Sequence, residues 1–318
     1  LSWWSWESPK RSALSIIITE ALGTFTPTSI TVVATMILVT PFTNNNKVDY
    51  TAFKKLINHV IEGGLNYLVV QGTTGETPTL TEKEKTETLA FAIKINAGRL
   101  PIVFGYGGNN TQALIDGLSE IDFVGVDAIL CASPYYNKPN QEGIYQHYKM
   151  LNQYSPVPII VYNVPGRTSS NILPSTLLRM ANDFDKVIAV KEASGNIEQK
   201  AAIAAECPKD FTLLSGDDAQ IVAEIAQGTQ GVISVIANAL PNEFSTMVNA
   251  ALSNDYDTAR PILYKMLPII ELLFADGNPA GIKAALNVLG ICEENVRLPL
   301  IIANRAVYKG IKDKIEAL

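Results

Sequence analysis

Short runs of apolar, largely β-branched residues recur along this chain about every 25–35 residues, and the stretches between them carry apolar positions at helical spacing. The runs cover residues 31–40, 67–72, 102–107, 128–133, 158–163, 187–192, 212–217 and 231–236. They are apolar throughout, as strands covered on both faces are, rather than alternating. Between the first two, Phe53, Leu56, Ile57, Val60 and Ile61 trace one helical face that stops at Gly63-Gly64. Thr81 and Glu84 form a capping box ahead of Leu89 and Ile93. Residues 140–154, 174–183, 196–206 and 218–227 fill the same helical role.

Eight strand–helix units predict an α/β fold, a (β/α)8 TIM barrel over residues 30–238. A doubly wound sheet is disfavoured because no glycine-rich dinucleotide fingerprint follows the first strand. Residues 239–318 read as helices at 241–253, 256–274, 279–289 and 299–315, predicting a C-terminal helical domain. Residues 1–29 hold Trp3, Trp4, Trp6 and a short apolar stretch interrupted by Glu20. They are expected to form a poorly ordered extension outside the fold.

With 47% hydrophobic and 18% charged residues and a net charge of −6, the chain has ordinary globular composition. Without a basic stretch it predicts no nucleic-acid partner, and without an apolar run of about 18 residues no membrane span. Cys131, Cys207 and Cys292 have no metal-ligand or redox spacing and read as reduced thiols of a cytoplasmic protein. The two histidines, His59 and His147, are too few for a histidine-rich metal site, so no metal is expected.

The candidate chemistry starts at Lys191, inside the run 187–192. A lysine held in an apolar setting loses its proton readily and becomes the nucleophile of Schiff-base chemistry. Its ordinary alternative is a strand-end lysine that reaches water. Strand alternation puts Ala189 and Lys191 on one face, and Ile160 and Tyr162 on one face. In a barrel, the strand ends that carry active sites would gather Gly72-Thr73-Thr74-Gly75-Glu76, Tyr135-Tyr136-Asn137, Tyr162 to Thr168, Lys191 and Ser215-Gly216-Asp217-Asp218. Tyr162 with a hydroxyl from Thr73 or Thr74 would move the protons that imine formation needs. Arg167 would hold a carboxylate through paired hydrogen bonds, and backbone amides of Gly72–Gly75 another. Each has a plainer reading: a tight turn for Gly-Thr-Thr-Gly, an apolar patch for Tyr135-Tyr136, a surface charge for Arg167, and a helix N-terminus capped by Asp217 for the acidic pair.

Taken together in order and at this spacing, these segments, with Val190-Lys191-Glu192-Ala193-Ser194-Gly195 and Gly231-Val232-Ile233-Ser234-Val235, closely resemble the dihydrodipicolinate synthase family over roughly residues 31–310. The resemblance implies a barrel with a C-terminal helical domain that condenses pyruvate with L-aspartate 4-semialdehyde, toward diaminopimelate and lysine, without a cofactor. It implies Lys191 as the Schiff-base lysine, Tyr162 as the general acid/base, and Thr74 and Tyr136 as the rest of a proton relay, with Tyr136 supplied by a neighbouring subunit. Thr73 and Thr74 would hold the pyruvate carboxylate and Arg167 the semialdehyde carboxylate, with Gly216 and Ile233 lining the site. The implied assembly is a homotetramer, a dimer of dimers.

Two departures stand out. Ile37 occupies a strand-one position where the family has a small residue, which would narrow the pocket floor or shift the strand. Glu82 and Ala113 replace residues expected of lysine-inhibited relatives, although Asn109 and Tyr135 match, so weak or absent lysine inhibition is expected. Two alternatives stay open: a related pyruvate-imine lyase acting on N-acetylneuraminate or 2-keto-3-deoxy sugar acids, against which Arg167-Thr168 argues, and a non-catalytic paralogue.

Overall fold

The computed structural model describes residues 33–318, so the expectation for residues 1–29 lies outside the described residues. Eight parallel strands close into a barrel in sequence order: β1 (Val33–Ile37), β2 (Leu68–Val70), β3 (Ile102–Gly105), β4 (Ala128–Ala132), β5 (Ile159–Asn163), β6 (Val187–Glu192), β7 (Thr212–Ser215) and β8 (Gly231–Ser234). β8 pairs back onto β1, with Val33 opposite Gly231 and Thr35 opposite Ile233. Each expected run contains its strand. The strands stop short of several run ends because the terminal residues turn away to form the loops that carry the chemistry.

The helices between strands are α1 (Tyr50–Glu62), α2 (Glu82–Asn96), α3 (Thr111–Leu118), α4 (Gln141–Tyr154), the single turn α5 (Pro165–Thr168), α6 (Pro174–Asp183), α7 (Ile197–Glu206) and α8 (Ile221–Ala226). Local signals place their ends. The Asp49 side chain accepts from Ala52 N–H at the start of α1, and Gly63 terminates it. The Thr81/Glu84 capping box opens α2, with both reciprocal bonds present. α3 has only 8 residues and buries only Leu114 and Leu118, too short a stretch for its apolar spacing to mark it out in the sequence.

After β8 come α9 (Pro241–Leu252), α10 (Tyr256–Ala275), α11 (Ala280–Val288) and α12 (Arg305–Ile315). The last helix begins at Arg305 rather than at 299, because the Asn304 side chain accepts from Ala306 and Val307 N–H and sets the N-cap there. No helix among the described residues is long and apolar enough to cross a membrane.

Two apolar cores follow from strand alternation. One fills the barrel itself with Ile37, Val69, Val103, Leu130, Ile160, Ala189, Leu214 and Ile233. The other lies between barrel and helices, where outward residues such as Met36, Leu68, Cys131, Val161 and Val190 meet the helix faces. A register shift between β5 and β6 near Ile159/Ile160 adds Ile188 to the interior face, and above it Ala189 and Lys191 alternate inward as expected.

Candidate active site

Lys191 and Tyr162 are register partners on adjacent strands, and both face into the barrel. Lys191 is 3% exposed. Its Nζ lies 4.6 Å from the centroid of the Tyr162 ring. Removal from water brings the amine down to about 7; Asp218 opposes that shift, Arg167 adds to it, and Asp217 opposes it. Ala189, fully buried one layer below, leaves the space through which the lysine stem rises. The plainer strand-end reading therefore fails: the lysine head does not reach water.

Burial raises the Tyr162 phenol; the Arg167 charge and a side-chain hydrogen bond with Thr73 work against the rise, and Asp217 adds to it. The hydroxyl set against Tyr162 is thus that of Thr73, where Thr74 had been expected to continue the relay. Thr74 is engaged elsewhere: its Oγ1 accepts from Asn278 Nδ2 at 3.0 Å. Thr73, Thr74 and Gly75 form one 3-10 turn after β2, held by Gly75 N–H donating to Gly72 C=O at 2.9 Å.

Arg167 sits exposed on the single turn α5, where Val164 C=O accepts from both Arg167 and Thr168 N–H. Its charge is felt by both Lys191 and Tyr162. Gly216 packs directly against the Lys191 side chain. A Cβ there would lie 2.4 Å from Ala193 Cβ and 2.9 Å from Lys191 Cε, so glycine is required for the lysine to stand where it does. Ile233 is fully buried on β8 in the interior cluster.

Ile37 neither shifts β1 nor breaks its pairing: Met36 pairs with Leu68, Ile37 with Val69 and Thr35 with Ile233. Its side chain fills the floor below Gly72, where a Cβ would meet Ile37 Cγ2 at 2.7 Å. The bulk at position 37 is accommodated because position 72 lacks a side chain.

Tyr136 is not brought to this cluster. It is 88% exposed, and its backbone is left-handed, with φ of 71°. Asn137 fixes the turn by donating from N–H to Tyr135 C=O at 2.8 Å and from Nδ2 to Asn109 C=O at 2.9 Å. The aromatic side chain is thus held outward on a left-handed backbone.

The acidic pair also departs from expectation. Helix α8 begins at Ile221 with no side-chain cap, so Asp217 is not its cap. Asp217 instead lies 3.5 Å from Lys200 Nζ, and Lys200 also pairs with the fully buried Glu224. Asp218 accepts from Val235 and Ile236 N–H at 2.9 and 2.8 Å, tying β7 to the turn after β8. Neither histidine takes part: His59 Nε2 bonds Ala239 C=O, and His147 Nδ1 bonds the Thr111 hydroxyl.

Several supporting residues escaped the sequence reading. On the outer faces of β5 and β6, Asn163 Nδ2 donates to Glu192 Oε2 at 2.8 Å, Gln199 Nε2 donates to the same oxygen at 3.0 Å, and Asn163 Nδ2 also donates to Asn171. This buried network locks together the two strands that carry Tyr162 and Lys191. Its signal was present in strand parity, since Asn163 and Glu192 are polar residues on the outward face of apolar strands. Glu76 ends the Thr73–Thr74 turn in a left-handed conformation and is fully buried against Lys283 of α11, with Nζ–Oε1 at 2.5 Å. Arg297 N–H donates to the other Glu76 oxygen at 2.9 Å. No local pattern announces a contact across 207 positions.

The sequence model of the dihydrodipicolinate synthetase family matches residues 31–318. A 4-hydroxy-tetrahydrodipicolinate synthase of Parabacteroides distasonis is 49% identical over 281 residues, covering 88% of this chain and 95% of that protein. One of Flavobacterium psychrophilum is 49% identical over 267 residues, covering 84% and 91%. Among solved structures, the dihydrodipicolinate synthase of Thermotoga maritima superposes with a TM-score of 0.88 at 34% identity, covering 91% of this chain and 99% of that one. That of Aquifex aeolicus superposes with a TM-score of 0.86 at 36% identity, covering 90% and 97%.

Proposed function

The chain belongs to the dihydrodipicolinate synthetase family, and from that premise we propose how its own residues divide the work. The protein is a lyase of the class I aldolase type. It condenses pyruvate with L-aspartate 4-semialdehyde to 4-hydroxy-tetrahydrodipicolinate, in the route to diaminopimelate and lysine. The observation that carries the chemistry is Lys191: a buried amine inside the barrel beside a buried phenol.

With its proton affinity brought down to about 7, Lys191 is substantially neutral at physiological pH and attacks the pyruvate ketone. The carbinolamine loses water to give an imine. Loss of a proton from the methyl carbon turns the imine into an enamine, and the enamine carbon adds to the aldehyde of the second substrate. Attack by that substrate's amine on the imine carbon then frees Lys191 and closes the ring. Tyr162 carries protons to and from the departing water, with the Thr73 hydroxyl as its partner in the relay. Thr73 and Thr74 receive the pyruvate carboxylate on the turn at the end of β2. Arg167 receives the semialdehyde carboxylate. Gly216 and Ile233 line the site.

The exposure of Tyr136 supports its entry into the site of a second copy, and with it a homo-oligomer, a dimer of dimers. Three unpaired thiols support a reducing, cytoplasmic setting.

The test is condensation of the two substrates followed through reductase-coupled NADPH oxidation. Turnover is expected. Its absence with an active reductase, together with turnover of sugar-acid aldehydes, would assign the chain to the related lyases instead. No turnover with either acceptor would favour the non-catalytic paralogue.

A further inference from the structure

Thr74 is 1% exposed, so its hydroxyl is set among protein groups. A hydroxyl has one hydrogen to give and two lone pairs to receive with. Asn278 Nδ2 supplies one of the donors, at 3.0 Å, from the loop before α11. Asn278 is itself 8% exposed, and its Oδ1 is buried without a protein hydrogen-bond partner. The amide is therefore spent on Thr74 alone among the described residues.

The consequence is directional. With a lone pair committed to Asn278, the Thr74 proton has to leave the oxygen on another bearing. A carboxylate only accepts hydrogen bonds, so a threonine that is to hold one has to arrive as a donor. The loop carrying Asn278 is fixed as well. The Lys283–Glu76 pair joins α11 to the end of the same turn, two residues from Thr74.

We infer that Asn278 is a positioning residue: by donating to Thr74 Oγ1 it commits the Thr74 hydroxyl to donating to the substrate carboxylate. The C-terminal helices thereby reach into pyruvate recognition, through a residue that touches Thr74. The inference rests on the reading of Thr74 as a carboxylate contact.

The test is a double-mutant cycle read on the KM for pyruvate and on kcat, using Asn278→Ala, Thr74→Val and the pair. Asn278→Ala is expected to raise the KM for pyruvate roughly three- to tenfold, the worth of one neutral hydrogen bond, with kcat changed much less. In the Thr74→Val background it should raise KM no further, because no hydroxyl remains to be aimed. Asn278→Asp keeps the shape but turns the donor into an acceptor that captures the Thr74 proton, so its KM should exceed that of Asn278→Ala. Circular dichroism on each variant separates these effects from loss of fold, and Asn278→Asp carries the test if the alanine variant does not fold.

Equal KM increases from Asn278→Ala in both backgrounds would overturn the positioning role while leaving Thr74 as a carboxylate contact. An unchanged KM in Thr74→Val would overturn that contact, and the inference with it.

Discussion

At the scale of single residues, Lys191 is costly to the fold and is the proposed nucleophile of the chemistry. Its amine titrates near 7 in the folded protein and near 10.5 in a model peptide, chiefly because it is buried. Between those values the unfolded chain binds more protons, so this residue makes stability rise as pH climbs from about 7 toward 10, and its full penalty stands below 7. Lys191→Met is expected to abolish turnover while raising the melting temperature by several degrees at pH 7. Thermal unfolding would show it, and a destabilised variant would contradict the claim that the lysine is held against its solvation. In the proposed mechanism the same proton sets the rate of adduct formation. With pyruvate saturating, that rate should rise through about pH 7 and level off above it; a flat profile from pH 6 to 9 would contradict a titrating nucleophile. Gly216 makes a geometric prediction. Its missing Cβ would stand 2.9 Å from Lys191 Cε, so Gly216→Ala should displace the lysine and lower kcat about tenfold or more. Stopped-flow measurement of adduct formation would locate that loss at the first step.

At the scale of elements, the turn after β2 is held from two sides. Toward the barrel, Thr73 meets Tyr162, and toward the C-terminal helices Glu76 meets Lys283 and Thr74 meets Asn278. Removing one partner of a fully buried ion pair leaves an uncompensated charge, at a cost of about 3–5 kcal/mol. Lys283→Met should therefore lower the urea midpoint strongly, and adding Glu76→Gln should restore much of the loss. A double variant as unstable as the sum of the singles would contradict the pairing. These elements show what the sequence could reveal. Strand runs, the α2 capping box and the parity of Lys191 and Tyr162 were legible because each depends on neighbours within a few residues. The residues alone leave Thr73 or Thr74 open beside Tyr162, and only the resemblance points to Thr74, because the sequence orders the two threonines but not the direction each hydroxyl takes on a 3-10 turn. The Asp217 cap failed for a related reason. Tertiary partners, Lys200 for one aspartate and the turn after β8 for the other, outcompete the local helix end.

At the scale of the whole molecule, the barrel order could be read from the spacing of the runs, and the family resemblance from motifs set along it. The clamps between barrel and C-terminal helices could not, since they join residues about two hundred positions apart. Tyr136, exposed on its own chain, is where the proposed assembly meets the proposed site. If it completes the site of a second copy, Tyr136→Phe should lower kcat while leaving the fold intact. Specific activity should also fall on dilution in step with dissociation seen by light scattering. Full specific activity in a monomer would contradict it. Glu82 and Ala113 are both exposed near the start of α2 and α3. Lysine is accordingly expected to inhibit weakly or not at all, and strong inhibition at sub-millimolar lysine would contradict this. All of this chemistry depends on an imine between Lys191 and pyruvate, which borohydride reduction of the protein with pyruvate, followed by peptide mass mapping, would trap. One reduced pyruvate is expected on the peptide carrying Lys191 and none in Lys191→Arg. An unmodified Lys191, or an adduct that persists in the arginine variant, would contradict it.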